Sequence, residues 1–426
     1  MRTLSHVKRL TSLLPYMLSG VYVFLLPTQL AKHFWPSWSY VQGVRLDYLA
    51  PTVSLLDVFG CVVLAFFWRD FVHIISKIRP SVFYILGLLI ALNTLFSLVP
   101  LLSLVAWGKV VLHVLVIYTL SRSKHMLFDA LVVGLVCGAL IQFILVIGQL
   151  HTQSSLQGVW YWLGERRLVL SLPDVAKVFV GGREYFRPYG TFSHPNTMAG
   201  YFALLYFFLN WSLPFLTREK VRLAALFGMM ISPLIMLASF SKIVIFSFVV
   251  GVMITVWSGK DYEGCMVCRV ARTLVLGLIL VLFSIPMGDP LSAEKRMTLF
   301  GNALHVFANY PWWGTGLGAY TIAQSAIAVA PKLMPLHQPV HNVGMLALAE
   351  VGIGGLMLGV VFFRQIFAIF TKLQTETWAM LAVFGITGMF DHYWLTQPQT
   401  RNLLLVVLLF VWNTFSHKLT RHNNNS

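Results

Sequence analysis

MLFDALVVGLVCGALIQFILVIG, residues 126–148, is an apolar run whose one charged residue is Asp129. A helix needs roughly 20 mostly apolar residues to cross a bilayer, and this run reaches that length. Further runs of the same character lie at 12–30, 51–67, 82–99, 101–120, 196–215, 223–239, 242–257, 273–288, 342–363, 378–390 and 402–415. With 126–148 they make about 12 expected transmembrane helices. A barrel is excluded because no alternating strand pattern appears, and an open sheet edge cannot sit in lipid. The expected fold is therefore an all-α polytopic membrane protein with two long outer-face loops, the second containing an interfacial helix.

Composition agrees with this reading. The chain of 426 residues is 58% hydrophobic and only 11% charged, against about 25% charged in soluble domains. Its formal net charge of +16, from 31 basic and 15 acidic residues, would suggest nucleic acid in a soluble protein. Here it follows from the positive-inside rule, and no nucleic-acid partner is expected. An even number of spans puts both termini on one side, and placing them in the cytoplasm leaves every inner loop basic. Two long outer loops depart from the rule. One carries Arg166, Arg167, Lys177, Arg183 and Arg187, the other Lys295, Arg296 and Lys332.

The expected organisation is N-terminal transmembrane helices at 1–148, a first outer loop at 149–195, central helices at 196–288, a large outer loop at 289–341, C-terminal helices at 342–415 and a cytoplasmic tail at 416–426, whose polar end RHNNNS at 421–426 is expected to be disordered. In the large loop Met297, Phe300, Leu304 and Phe307 recur at helical spacing, as an interface helix would have them. Cys265 and Cys268 form a C-x-x-C without a second ligand pair and read as incidental.

Three constellations could carry chemistry. The first is His341-Asn342, then nine residues, then Gly352-x-x-Gly355. An imidazole at a loop–span junction can accept a proton near neutral pH, or it can simply cap the helix. The two glycines share a face and admit a close helix neighbour. Glu350 falls on roughly the opposite face from His341, so the two are no dyad. The second is RPYGTFSHPN at 187–196, a turn leading into a helix start. A helix N-terminus favours an anion, and Arg183 and Arg187 could reach it with forks suited to a diphosphate. His194 either joins that site or only shapes the turn. The third is FDHYWLTQPQTR at 390–401, with Asp391 and His392. Lys109 and Lys242 lie within or beside apolar runs. Charge there is costly and suspect, although Lys242 could snorkel outward. No Walker A loop and no H-E-x-x-H occurs.

RPYGTFSHPNTMAGY at 187–201 resembles the G-T-F-x-H-P-N segment of the O-antigen ligase and polymerase superfamily. His341-Asn342-x9-Gly352-x-x-Gly355 is similar to its ligase signature. RMTLFGNALHVFANYPWWGTGLGAY at 296–320 looks like its arginine-led helix and glycine-rich turn, and FDHYWLTQPQ resembles a late-span segment of some members. The resemblance covers about 180–400, in the same order and spacing. It implies an integral membrane glycosyltransferase of the bacterial cytoplasmic membrane, working at the periplasmic face without metal or cofactor. The donor would be an undecaprenyl-diphosphate-linked glycan and the acceptor a glycolipid or glycan. Carried onto this chain, Arg187 and Arg296 become diphosphate ligands, with Arg183 and Lys242 beside them, and His341 the catalytic residue. His194, Asn196, Asn342, Lys109, Asp391 and His392 would give substrate or structural support. Ser241-Lys242 departs from a common S-R, which keeps the charge and loses the bidentate fork. The signature points to a ligase ahead of a polymerase. A carrier of lipid-linked sugars is the alternative from another class.

Overall fold

A computed structural model describes residues 2–122, 125–173, 175–257, 291–327, 337–370 and 374–423. The chain is mostly helical with few strands. Among the described residues, five helices are long and apolar enough to cross a membrane: Pro100–Ser121, Leu127–Thr152, Pro195–Phe215, Glu219–Ala238 and Val343–Val360. Leu55–Phe66 and Trp68–Ile75 meet at 81° and would add a sixth if read as one broken span. Leu13–Phe24, Pro80–Leu95 and Lys242–Val256 are apolar but shorter. The expected span 273–288 and the Cys265/Cys268 pair lie outside the described residues.

Proline marks several helix starts. Pro80, Pro100 and Pro195 each occupy the first turn, where the missing N–H costs nothing and the fixed φ suits the helix. Ser54 and Asp57 close a reciprocal capping box ahead of Leu55–Phe66, satisfying two otherwise orphaned N–H groups. The helix Pro195–Ser212 is buried on nearly every side, as expected of an element apolar all round. It is the axis of the largest core, joined by Tyr22, Leu135, Ile235, Val244, Val383, Trp394 and Val407 from surrounding helices. Gly200 on this axis lets Tyr393 lie flat against it, since a Cβ there would come within 2.2 Å of the phenol oxygen.

One end of the bundle gathers the irregular structure. Residues 25–54 form two small antiparallel sheets, one pairing Ala31–His33 with Thr52–Ser54, the other Tyr40–Val41 with Val44–Arg45. Lys177–Val180 and Arg183–Phe186 make a third hairpin. The stretch expected to form an interface helix is helical over Leu291–Asn309. It buries Leu299, Ala303 and Val306 and exposes Met297, Phe300 and Leu304. The helix Pro398–Asn423 runs into the stretch 421–426 expected to be disordered, of which 424–426 lie outside the described residues.

A second correction concerns Gly352. It does not serve the approach of a neighbouring helix. It breaks the helix Val343–Phe370 with φ 68° and ψ −179°, a conformation open essentially to glycine alone. The turn 310–316 docks into the break: Thr315 N donates to Ala349 O at 2.9 Å, Gly316 N to Glu350 O at 3.0 Å and Gly354 N to Trp312 O at 2.8 Å. Asn93 Nδ2 donates to both Trp313 O and Glu350 O at 2.8 Å. The Glu350 carboxyl takes the N–H groups of Gly318 and Tyr320, so it belongs to this clamp.

Candidate functional site

The loop 187–194 has no regular structure, yet most of it is buried. Its backbone polar groups need partners, and three buried glutamines supply them. Gln149 Oε1 accepts from Tyr189 N and Gly190 N, each at 2.9 Å. Gln142 Oε1 accepts from Thr191 N at 3.0 Å. Gln399 Nε2 donates to Thr191 O at 3.2 Å. These amides fix where Arg187 and His194 stand.

From that frame a chain of polar contacts crosses to two other segments. Arg187 Nε donates to Ser239 O at 2.7 Å, and its Nη2 donates to Asn196 Oδ1 at 2.9 Å. Asn196 Nδ2 donates to Asp391 Oδ2 at 3.4 Å. The other carboxylate oxygen, Oδ1, accepts from His392 N at 2.8 Å and lies 3.5 Å from His341 Nδ1. That last separation is a close electrostatic contact and longer than a hydrogen bond; His341 Nδ1 is buried with no hydrogen-bond partner. The His341 and His392 rings lie 5.1 Å apart, and Tyr48 sets its edge to His392 at 5.8 Å.

Protonation follows from these contacts. Burial alone would raise the Asp391 carboxyl. The imidazoles of His341, His392 and His194 outweigh it and hold the group well below the usual carboxylate range. Burial pulls His392 down to about 4. Burial and then Arg187 pull His194 down to about 3. Burial lowers Arg187 to about 10, which leaves it charged at neutral pH. His392 Nδ1 lies 2.8 Å from the Thr396 hydroxyl, which is also 3.3 Å from His392 O. His194 Nδ1 accepts from Asn196 N at 3.1 Å, which leaves the proton of the neutral ring on Nε2.

The structure thus brings together Arg187, His194, Asn196, His341, Asp391 and His392. His194 caps Pro195–Ser212 and also stands near Arg187, Asp391, His341 and His392. Asn342 is structural: its Oδ1 caps the next helix by accepting from Met345 N at 2.8 Å, and its Nδ2 donates to Met389 O at 3.1 Å. Lys242 opens the helix Lys242–Trp257, three residues past the carbonyl that Arg187 grips. Arg183 does not reach the helix start. It sits exposed at the tip of its hairpin, because strand pairing turns it away from Arg187. Arg296 is half-buried on Leu291–Asn309, and no hydrogen bond or ion pair joins it to the cluster among the described residues. Lys109 is held elsewhere, by Asp57 at 2.9 Å, in a network where Asp57 also meets His113 Nε2 at 2.9 Å and His113 Nδ1 meets Tyr22 Oη at 2.9 Å.

Sequence reading missed Tyr48, Thr396, Ser239 and the three glutamines. Gln142 and Gln149 carried a signal, two amides seven residues apart on one face of an apolar run; Tyr48 and Ser239 carried none. His341, Asp391 and His392 also bring one ligand atom each to within 4.8 Å of one another, a grouping that could hold a metal ion. The expectation of a metal-free site thus meets a set of side chains capable of binding one. Neither a scan of protein-family models nor a search of characterised proteins finds a match to this chain.

Proposed function

We propose that this protein is an integral membrane glycosyltransferase that moves a glycan from undecaprenyl diphosphate to an acceptor at the outer face of the bacterial cytoplasmic membrane, as an O-antigen ligase does. The observation that carries this reading is the convergence of a charged guanidinium, Arg187, with a carboxylate–imidazole pair, Asp391 and His341, through the single side chain of Asn196. The reaction needs those two functions side by side. As the bond from the anomeric carbon to phosphate breaks, negative charge grows on the departing lipid diphosphate, and a preorganised cation lowers that barrier. The acceptor hydroxyl attacks from the opposite side, its oxygen bonds to the anomeric carbon with inversion, and its proton goes to His341. With Nδ1 turned to Asp391, Nε2 is the nitrogen free to take it. Asp391 stabilises the imidazolium that results, the role of the acid in a serine–histidine–aspartate triad.

Arg187 is the first diphosphate ligand in this scheme. Arg296, on the helix that packs along Val343–Phe370, is a second cation for the same lipid. The location follows from the reading: both termini cytoplasmic, the loop end of the bundle periplasmic, and membrane lipid around the apolar helices.

The test uses purified full-length protein in nanodiscs, with lipid-diphosphate glycan as donor and lipid A-core as acceptor. Transfer by wild type and its loss in His341→Ala is the expected result. Near-wild-type transfer by His341→Ala removes the base. A strain lacking the gene separates the acceptors: free core with full-length lipid-linked chains indicates a ligase, and single repeats on the core indicate a polymerase. Movement of lipid-linked sugar across vesicles without new glycosidic bonds would make the protein a carrier.

A further inference from the structure

Asp391 and His392 are consecutive and buried, held in the bend between Thr375–Phe390 and Tyr393–Thr396. Trp394, fully buried just beyond, pins that bend by donating from Nε1 to Thr387 Oγ1 at 2.8 Å. His341 comes from the segment that leads into Val343–Phe370, and its ring centre lies 5.1 Å from that of His392. Three different backbone positions thus bring two imidazoles and a carboxylate to one place, with one ligand atom from each within 4.8 Å of the others. The frame around them is rigid, which favours a fixed coordination geometry.

The distances fit a metal as well as a proton. His341 Nδ1 and Asp391 Oδ1 stand 3.5 Å apart, and Nδ1 has no hydrogen-bond partner. Zinc bonds imidazole nitrogen and carboxylate oxygen at about 2.0–2.2 Å in a tetrahedron, which sets neighbouring ligand atoms roughly 3.3–3.6 Å apart. The pair is therefore already at ligand spacing. The outer contacts agree. Metal-bound imidazoles are ordinarily fixed through their other nitrogen, and bound carboxylates are themselves hydrogen-bonded. His392 Nδ1 is engaged by the Thr396 hydroxyl at 2.8 Å, which leaves Nε2 available to a metal. Asp391 Oδ2 accepts from Asn196 Nδ2 at 3.4 Å. Two imidazoles and one carboxylate suit zinc and similar divalent cations, whereas magnesium and calcium take oxygen. The partly exposed His341 side chain gives the ion a way in.

We propose that His341, Asp391 and His392 form a zinc-binding site whose filling switches the transfer reaction off. A metal on His341 Nδ1 confines the ring's single proton to Nε2, so the nitrogen assigned to the acceptor hydroxyl has no lone pair to offer. The same ion engages the carboxylate that would stabilise the imidazolium. The switch rests on the glycosyl-transfer reading and deepens it, naming a regulator of its base; the binding of metal does not depend on that reading.

The probe is cobalt(II), which enters zinc sites and absorbs visible light there. It is titrated into full-length protein in nanodiscs carrying Cys265→Ser and Cys268→Ser, so that the cysteine pair takes no part. Three proteins are compared: the cluster intact, with His392→Gln, and with Thr396→Val. Valine has nearly the shape of threonine and removes only the hydroxyl behind His392, so that variant should fold even if the other does not. The expected result is a cobalt spectrum, bleached by zinc, with affinity lowered about 10- to 100-fold by Thr396→Val, as for loss of an outer-shell partner, and by at least as much in His392→Gln. No spectrum, or equal affinity in all three proteins, overturns the site. In the transfer assay, zinc at concentrations that fill the site should abolish transfer and a chelator should restore it. Full transfer with the site filled, or transfer only with the site filled, overturns the switch and leaves the glycosyl-transfer reading standing. Cobalt binding with the expected dependences, in a protein that transfers nothing with or without metal, sinks the reaction and leaves the metal site standing.

Discussion

Asp391→Asn is the substitution that bears most directly on the chemistry. Asparagine is nearly the same size and can still accept from His392 N, so the turn 391–397 should keep its shape. What is lost is a full negative charge 3.5 Å from His341 Nδ1. At that distance a unit charge pair in an effective dielectric of about 20 interacts by about 4–5 kcal/mol. The His341 side chain is 23% exposed, and solvent screening together with the change in hydrogen bonding reduces the usable part to about 2–3 kcal/mol. The imidazolium formed during proton transfer should be destabilised by that amount, which predicts a fall in kcat of about 30- to 150-fold. KM for the lipid-linked donor should change little, because the diphosphate is assigned to Arg187. Thermal stability should fall, because the fold favours the charged Asp391 carboxylate over a neutral group, so transfer is read well below both melting temperatures. The assay is the nanodisc transfer reaction at saturating acceptor, read alongside the melting temperature. Transfer within threefold of wild type in a sample folded at the assay temperature would refute the carboxylate–imidazole mechanism.

Four other outcomes are expected. Arg187→Ala should cost about 10²–10³ in rate, as for loss of one preorganised donor, while Arg183→Ala, exposed at its hairpin tip, should stay within twofold; equal losses in the two would contradict the placement. His392 and His194 have pKa values below the ordinary 6.5, at about 4 and about 3, so the stability they contribute is complete above 6.5 and is lost as pH falls from there toward 4. A melting temperature that is flat or rises on acidification over that window would contradict their burial as neutral rings. Gly352→Ala should destabilise by about 2–4 kcal/mol, because φ is 68° and a Cβ would meet Trp312 O at 2.4 Å; an unchanged melt would mean the helix break is absent in the membrane. Dialysis against a chelator should leave transfer intact and added zinc should inhibit by occupying His341, Asp391 and His392; loss of transfer on chelation, restored by metal, would replace the base with a metal-bound mechanism.

The helical core was legible because an apolar run of spanning length admits few other readings, and the described parts of the expected spans are largely helical. The loop end was not. Tyr40–Val41 and Val44–Arg45 are strands of two residues each, too short for any alternation to register, and they are held by their hairpin tip and by Leu49 rather than by local pattern. The site was legible as a set of suspects and illegible as an arrangement. Asn196 and Asp391 touch although 195 positions separate them, and no spacing rule reaches that far. Lys109 shows the converse. A lone cation in an apolar run reads as a functional suspect, but its partner Asp57 lies in a different run, 51–67, and only the packing reveals the pair.

The interval from Asn342 to Gly352 shows how a motif spacing becomes geometry. Asn342 starts the helix and Gly352 breaks it, so the intervening residues form one rigid rod of about 13 Å at 1.5 Å per residue. Its upper end presents His341 to Asp391. Its lower end offers the carbonyls of Ala349 and Glu350 to Thr315 and Gly316. Both ends are anchored to other segments, and each residue added to a helix rotates it by about 100°. One insertion would turn His341 away from Asp391 or pull the turn 310–316 off the break, but could not spare both. Glycine at the far end and histidine at the near end are therefore coupled through rod length, and the two glycines of the signature do unlike work. Gly352 ends the rod. Gly355, whose Cβ would come within 3.2 Å of Leu89, keeps the second half of the helix close to Pro80–Leu95, the element that carries Asn93 to the clamp.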